Sequence, residues 1–225
     1  MKLKSKLKSA FVQPFSCMML SILAVMGISP LVLAVPARVS LHTPEEDTYK
    51  EPQKLAQLGA DSPERSQLLQ QANALYNQGD FKDAEENLRK FIKKFPEDAF
   101  GHFQLGNALF QQKKSEEAIS VYREAIRLQP KYALAYNAIG MAYASQSRWQ
   151  EAITEYKKAL EINPNYGEAL TNFALAMWQT NKKDEALSSL EKALNIFKEQ
   201  NRGEKVNQVE RILREIKTAD EPSVS

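Results

Sequence analysis

The chain has 225 residues, 26% of them charged, with 30 basic and 28 acidic side chains and a formal net charge of +2. Four of the basic residues, Lys2, Lys4, Lys6 and Lys8, lie in a stretch of 34 residues without an acid, which leaves 26 basic against 28 acidic, a net of −2, for the rest. A near-neutral body has no electrostatic footprint for nucleic acid. One cysteine and two distant histidines, His42 and His102, argue against a disulfide framework or a zinc site.

The N-terminus begins with the basic tip MKLKSKLKS and continues into an apolar run that is densest from Met18 to Met26. Gly27 and Pro30 interrupt it, and Val32-Leu33-Ala34 provides small or tolerable residues for a signal peptidase. This basic–apolar–small order is that of a secretory leader with cleavage near Ala34. An uncleaved anchor is the alternative, because Phe15 to Val35 is 21 residues without a charge, long enough to span a bilayer. Both readings place the body beyond the cytoplasmic membrane, in a periplasm or a thylakoid lumen, and confine membrane contact to residues 1–34. Cys17 is preceded by Phe15-Ser16, a poor lipobox, and the apolar run follows it.

Residues 35–64 hold four prolines and the acidic cluster Glu45-Glu46-Asp47. Weak apolar periodicity predicts a flexible linker, with one helical turn around Leu55–Leu58. The plain reading of the acidic cluster is solvation.

From Arg65 the sequence repeats every 34 residues. Pro96, Pro130 and Pro164 keep that step. So do Ala84, Ala118, Ala152 and Ala186; Ala72, Gly106, Gly140 and Ala174; and Phe91, Ala125, Ala159 and Ala193. Each unit reads as two antiparallel helices. Small residues on both allow close approach, and large residues such as Leu88, Leu105, Tyr122, Ile139, Tyr156, Met177 and Leu190 fill the space around them. Each proline ends a unit, and Asp80 is the expected N-cap of the second helix of unit one. Registers at this period are the signature of a repeat array.

The pattern resembles the tetratricopeptide repeat family over residues 65–200, in four units. The resemblance implies an all-α helix-turn-helix solenoid. The first unit departs from it with Gln71 and the second with His102 where a large apolar residue is usual. The fourth lacks its proline at Phe197-Lys198, so its last helix is expected to run on. Val206, Val209, Ile212, Leu213 and Ile216 then predict an amphipathic helix within residues 201–218. It caps the solenoid and is followed by a disordered tail, 219–225.

The resemblance also implies that the first helices of the units line a concave peptide groove. The residues so placed are Leu69, Asn73, Tyr76, Phe100, Phe103, Asn107, Phe110, Asn137, Met141, Leu175 and Trp178. Amides there can pair with peptide groups, and Phe, Trp and Met supply apolar contact. Phe103 and Met141 have a competing reading as contacts between repeats. Family members that grip an acidic C-terminus use a clamp of Lys, Asn and Arg. The matching places here are Leu69, Asn73, Gln104, Leu134 and Ala138, and only Asn73 fits.

No phosphate-binding loop, serine elbow or paired His-Glu motif occurs. Glu116-Glu117 and Asp184-Glu185 fall at helix starts, where they balance the helix dipole. The expected function is therefore a non-catalytic adaptor without a cofactor, whose partner is another protein or peptide. A self-assembling homo-oligomer is the alternative.

Overall fold

The computed structural model describes residues 62–219. The leader and most of the linker lie outside the described residues, as does nearly all of the tail. Among the described residues nine helices follow in order: α1 Pro63–Gln78, α2 Phe81–Lys94, α3 Ala99–Gln111, α4 Ser115–Leu128, α5 Ala133–Ser145, α6 Trp149–Ile162, α7 Gly167–Gln179, α8 Lys183–Glu199 and α9 Gly203–Thr218. No strand occurs among the described residues, and none of their helices is long and apolar enough to cross a membrane. The helices α1 to α8 form four pairs, each packed on the next, and α9 packs on α8.

Each pair is closed by the same turn. Gly79, Lys113, Ser147 and Asn181, spaced 34 apart, have φ between 62° and 87°. The following amides of Asp80, Lys114, Arg148 and Lys182 donate to Leu75, Leu109, Tyr143 and Met177 at 2.9–3.0 Å. That left-handed residue, with a bond reaching back five positions, satisfies carbonyls at the end of the first helix. Only Gly79 adopts it without a Cβ penalty. Asp80 does stand at the start of α2, but its side chain accepts no capping bond. Its ψ of 62° is not the extended conformation that aims a cap at the helix. Side-chain caps occur instead at Ser62, which accepts from the Arg65 amide at 3.1 Å, and at Asp98, which accepts from Gly101 at 2.7 Å. The missing proline has the expected effect: α8 has 17 residues against 14 in α2, α4 and α6.

Within a pair, small and large residues match. A Cβ on Gly106 would lie 2.4 Å from Tyr122 Cε1, and one on Gly140 would lie 2.4 Å from Tyr156 Cε1. The outer units replace both members of the match: Ala72 and Ala174 on the first helix, Leu88 and Leu190 on the second, all buried. Ala84, Ala118, Ala152 and Ala186 are completely buried.

The two tyrosines differ at their tips. Tyr122 donates its hydroxyl to Asn107 Oδ1 at 2.8 Å. Tyr156 is equally buried, but its hydroxyl has no partner. The residue corresponding to Asn107, 34 positions on, is Met141. Burial pushes both phenols well above the usual tyrosine range, so both stay neutral.

The ends of the array are built differently from its middle. On the outer side of α1, Gln67, Gln71, Ala74 and Gln78 are exposed. At the matching positions later units bury Gly101, Leu105 and Ala108, or Ala135, Ile139 and Ala142. The glutamines suit water, so this face of α1 can stand without a neighbour. At the other end α9 buries Val209, Ile212, Leu213 and Ile216. Counted from the helix starts Gly167 and Gly203, Glu210 falls where α7 carries Ala174. A half-exposed glutamate, with Lys198 at 3.6 Å, leaves no small slot for a further helix to nest in.

One half-buried position near the first end is charged. Glu85 stands where later units carry Ile119, Ile153 and Leu187. Burial works against its ionisation. Hydrogen bonds at 2.8 Å from Lys114, Arg89 and Gln112 outweigh that effect and hold its pKa at about 2, below the ordinary 4.5.

Three outcomes test this packing. Gly140→Ala is expected to cost about 1–3 kcal/mol by overpacking, and adding Tyr156→Leu, which recreates the match of units one and four, should recover most of it in urea melts. Tyr122→Phe should lose roughly 0.5–1.5 kcal/mol, whereas Tyr156→Phe should cost nothing or stabilise, since it removes an orphaned hydroxyl. Equal effects of the two would show that Tyr156 has a partner after all. Because the folded Glu85 carboxyl ionises more readily than the unfolded one, its contribution is complete above about pH 4.5 and lost as pH falls toward 2. The melting temperature of Glu85→Gln should therefore lie below that of the parent at neutral pH, with the gap closing over that window.

Candidate functional site

The first helices α1, α3, α5 and α7 run parallel, so equivalent residues form rows across the array. The row at their N-terminal ends reads Ser66, Phe100, Leu134, Glu168. Phe100 and Leu134 are 40% and 43% exposed, the two large apolar side chains among the described residues that stand in water to this extent. Glu168 is neutralised by Arg202 at 2.5 Å, a contact that also holds the start of α9 beside α7. The deeper row reads Leu69, Phe103, Asn137, Thr171 and lies further from solvent. Leu69, Asn137 and Thr171 are 6–7% exposed. Phe103 is partly buried, with its ring 5.2 Å from that of Tyr132 and 5.8 Å from that of Tyr122. It therefore contributes to packing between units two and three, the second of the two readings open for it.

The amides are largely engaged with one another. Gln104 Nε2 donates to Asn73 Oδ1 at 2.7 Å, Asn107 Nδ2 donates to Gln104 Oε1 at 3.0 Å, and Asn107 also accepts from Tyr122. Gln111 donates to the Tyr76 hydroxyl at 3.1 Å. In the second half Asn172 Nδ2 donates to Asn137 Oδ1 at 3.0 Å, and Asn137 Nδ2 faces the Tyr166 hydroxyl at 3.4 Å and Met141 Sδ at 3.6 Å. Each ladder crosses from one unit to the next. Its first effect is to satisfy half-buried polar groups and fix the distance between first helices. Asn73 and Asn107 keep unused capacity, because a side-chain amide has more sites than these bonds occupy. Gln104, Asn172 and Tyr166 belong to the ladders, and only Gln104 stands out in the sequence, through its place beside Asn73 in the clamp pattern. The 34-residue step relates Gln104 and Asn172 through Ala138, so the bonding residues are not a continuous register.

Leu175 and Trp178, on α7, are 7% and 6% exposed. Tyr76, Phe110 and Met141 are half-buried against the core. The eleven sequence-derived residues fall in four rows along the first helices, at spacings that share one face of each helix, with Phe100 at the exposed rim and Leu69, Asn137, Leu175 and Trp178 withdrawn as a floor. Glu168 is the charge of this lining, and it is paired.

Models of tetratricopeptide repeats match residues 69–133, 103–167 and 143–204. Among solved structures, the chain is similar to MamA, at 26% identity over 72% of this chain and 99% of that one, with a TM-score of 0.57. It is also similar to the TPR2B domain of yeast Sti1 in a pHsp70 complex, at 25% identity, 54% and 97% coverage and a TM-score of 0.52. The first such domain of Spaghetti (RPAP3), bound to the HSP90 peptide SRMEEVD, gives 26% identity, 54% and 96% coverage and 0.51. Comparison with curated proteins returns no match. The period of 34, the matched small and large residues and these likenesses agree: the chain belongs to the tetratricopeptide repeat family, as a protein-interaction module and not an enzyme.

Proposed function

We propose that this chain is an adaptor that holds a segment of another protein along the side lined by α1, α3, α5 and α7. The observation that carries the reading is the pair Phe100 and Leu134, two large apolar side chains left in water at equivalent places on adjacent helices. Exposed apolar anchors beside a wall with one paired charge suit a ligand that brings apolar side chains of its own. The peptide complexes of Sti1 and Spaghetti support the same use of the fold. The acidic SRMEEVD tail is a different ligand chemistry from the one expected here, since Leu69, Gln104, Leu134 and Ala138 stand where a clamp would need cations or asparagine.

The leader supports a site of action beyond the cytoplasmic membrane. Four lysines ahead of an uncharged run of 21 residues are the features of an export signal or an anchor.

The test places a photo-crosslinking residue at position 100 in intact cells, with Gln150 on the exposed side of α6 as control. A defined partner should be captured from position 100 and not from 150. In a crosslinker placed at Phe110, the double change Phe100→Ser/Leu134→Ser should lower capture at least about tenfold, the loss of two buried apolar contacts, with an unchanged melting temperature. Equal capture from both positions, or capture indifferent to the double change, removes the groove from the function.

A further inference from the structure

Six of the eight arginines between residues 62 and 219 have a partner: Arg65 with Asp98, Arg89 with Glu85, Arg123 with the Tyr143 hydroxyl, Arg127 with Glu124, Arg148 with Glu116 and Glu151, and Arg202 with Glu168. The guanidinium groups of Arg211 and Arg214 have none among the described residues, and both side chains are exposed. They share the face of α9 opposite Val209, Ile212 and Ile216. Counted from the helix starts, they fall where α7 carries Leu175 and Trp178. The inner side of the array therefore ends in two cations without a partner among the described residues, while its rim carries Leu134 and Phe100 two and three units further toward α1.

The linker preceding Ser62 has the complementary order. Glu45-Glu46-Asp47 come first, Leu55 and Leu58 follow, and the chain then enters α1. The lengths agree as well. An extended chain covers at most about 3.3–3.6 Å per residue, and packed helices stand about 8–10 Å apart. Eight residues from Asp47 to Leu55 reach about 27 Å, enough for the two-unit step from α9 to α5, roughly 20 Å, combined with the roughly 10–15 Å by which Arg211 and Arg214 stand further along their helix than Leu134 along α5. Three residues from Leu55 to Leu58 reach about 10 Å, the step from Leu134 to Phe100. Four residues from Leu58 to Ser62 reach about 13 Å, enough to pass from α3 to the start of α1.

We propose that residues 45–58 of this chain dock on its own inner side, with Glu45-Glu46-Asp47 at Arg211 and Arg214, Leu55 on Leu134 and Leu58 on Phe100. The proposal rests on the groove reading above and names the competitor that any partner must displace. Tethering gives such a segment a millimolar effective concentration, so weak contacts suffice to keep the rim covered. A successful partner then carries the same chemistry, an acidic cluster followed about eight residues later by paired aliphatic side chains, in a copy that binds more tightly than the tethered one.

The experiment is disulfide trapping in the full chain with Cys17→Ser, so that only introduced thiols react. Leu58→Cys with Phe100→Cys should close an intramolecular bridge at least about tenfold faster than Leu58→Cys with Gln150→Cys, as effective concentration requires. Glu45→Lys/Glu46→Lys/Asp47→Lys should bring the rate down toward the control, and adding Arg211→Glu/Arg214→Glu should restore it. The replaced residues are exposed or precede the helices, so equal melting temperatures check that all variants are folded. Equal rates for the two cysteine pairs overturn the proposal, as does a rate indifferent to the charge exchange. A disulfide-linked dimer at nanomolar chain concentration overturns it in favour of a second copy. Partner capture from position 100 that persists when trapping fails leaves the groove reading standing and removes the self-docking alone.

Discussion

A missing Cβ on one helix and a phenyl ring on the next hold this array together. At Gly106 and Gly140 the tyrosine ring of the partner helix occupies the space that a methyl group would need. The helices can then approach at backbone distance, and the ring covers what the glycine leaves bare. The same close approach survives in units one and four, where alanine faces leucine. What is kept is a fixed sum of volumes, not a residue type, as dense packing demands. The parallel first helices and the rows across them build on it.

Because each pair touches only its neighbours, irregularities stay local. Glu85 can replace an aliphatic residue at one interface because Arg89, Gln112 and Lys114 converge on it there. Met141 can replace asparagine under Tyr156 at the expense of a single unsatisfied hydroxyl. The two ends are where the repeat rule is suspended altogether. Glutamines on the outside of α1 and Glu210 on α9 put polar groups where the interior units place small or apolar ones.

The inner side combines two kinds of surface. Its floor is internally satisfied, with amides bonded from unit to unit and Leu69, Asn137, Leu175 and Trp178 withdrawn from water. Its rim and its C-terminal wall are not, since Phe100 and Leu134 are exposed and two guanidinium groups lack partners among the described residues. On the proposed reading, recognition energy is concentrated in a few side chains at the edge, on a backbone whose first helices the amide ladders tie together. A rigid wall of this kind loses little entropy on binding.

The sequence by itself determined the period, the all-α class and the identity of the buried small residues. These follow from a 34-residue step repeated in four registers, whose small, large and proline positions match the tetratricopeptide pattern. It also marked the helix after Gly203 through its apolar stripe, and the overrun of α8 through its missing proline. Which lining residues meet solvent was decided only by tertiary structure. Phe100 and Phe103 are three positions apart and chemically identical, yet one stands at the rim and the other packs against Tyr132. The amide ladders and the isolation of Arg211 and Arg214 were likewise illegible, because a hydrogen bond or its absence depends on neighbours about thirty residues away across a helix–helix contact. Periodicity reports which side of a helix a residue occupies; depth and pairing are set by what the next unit places opposite it.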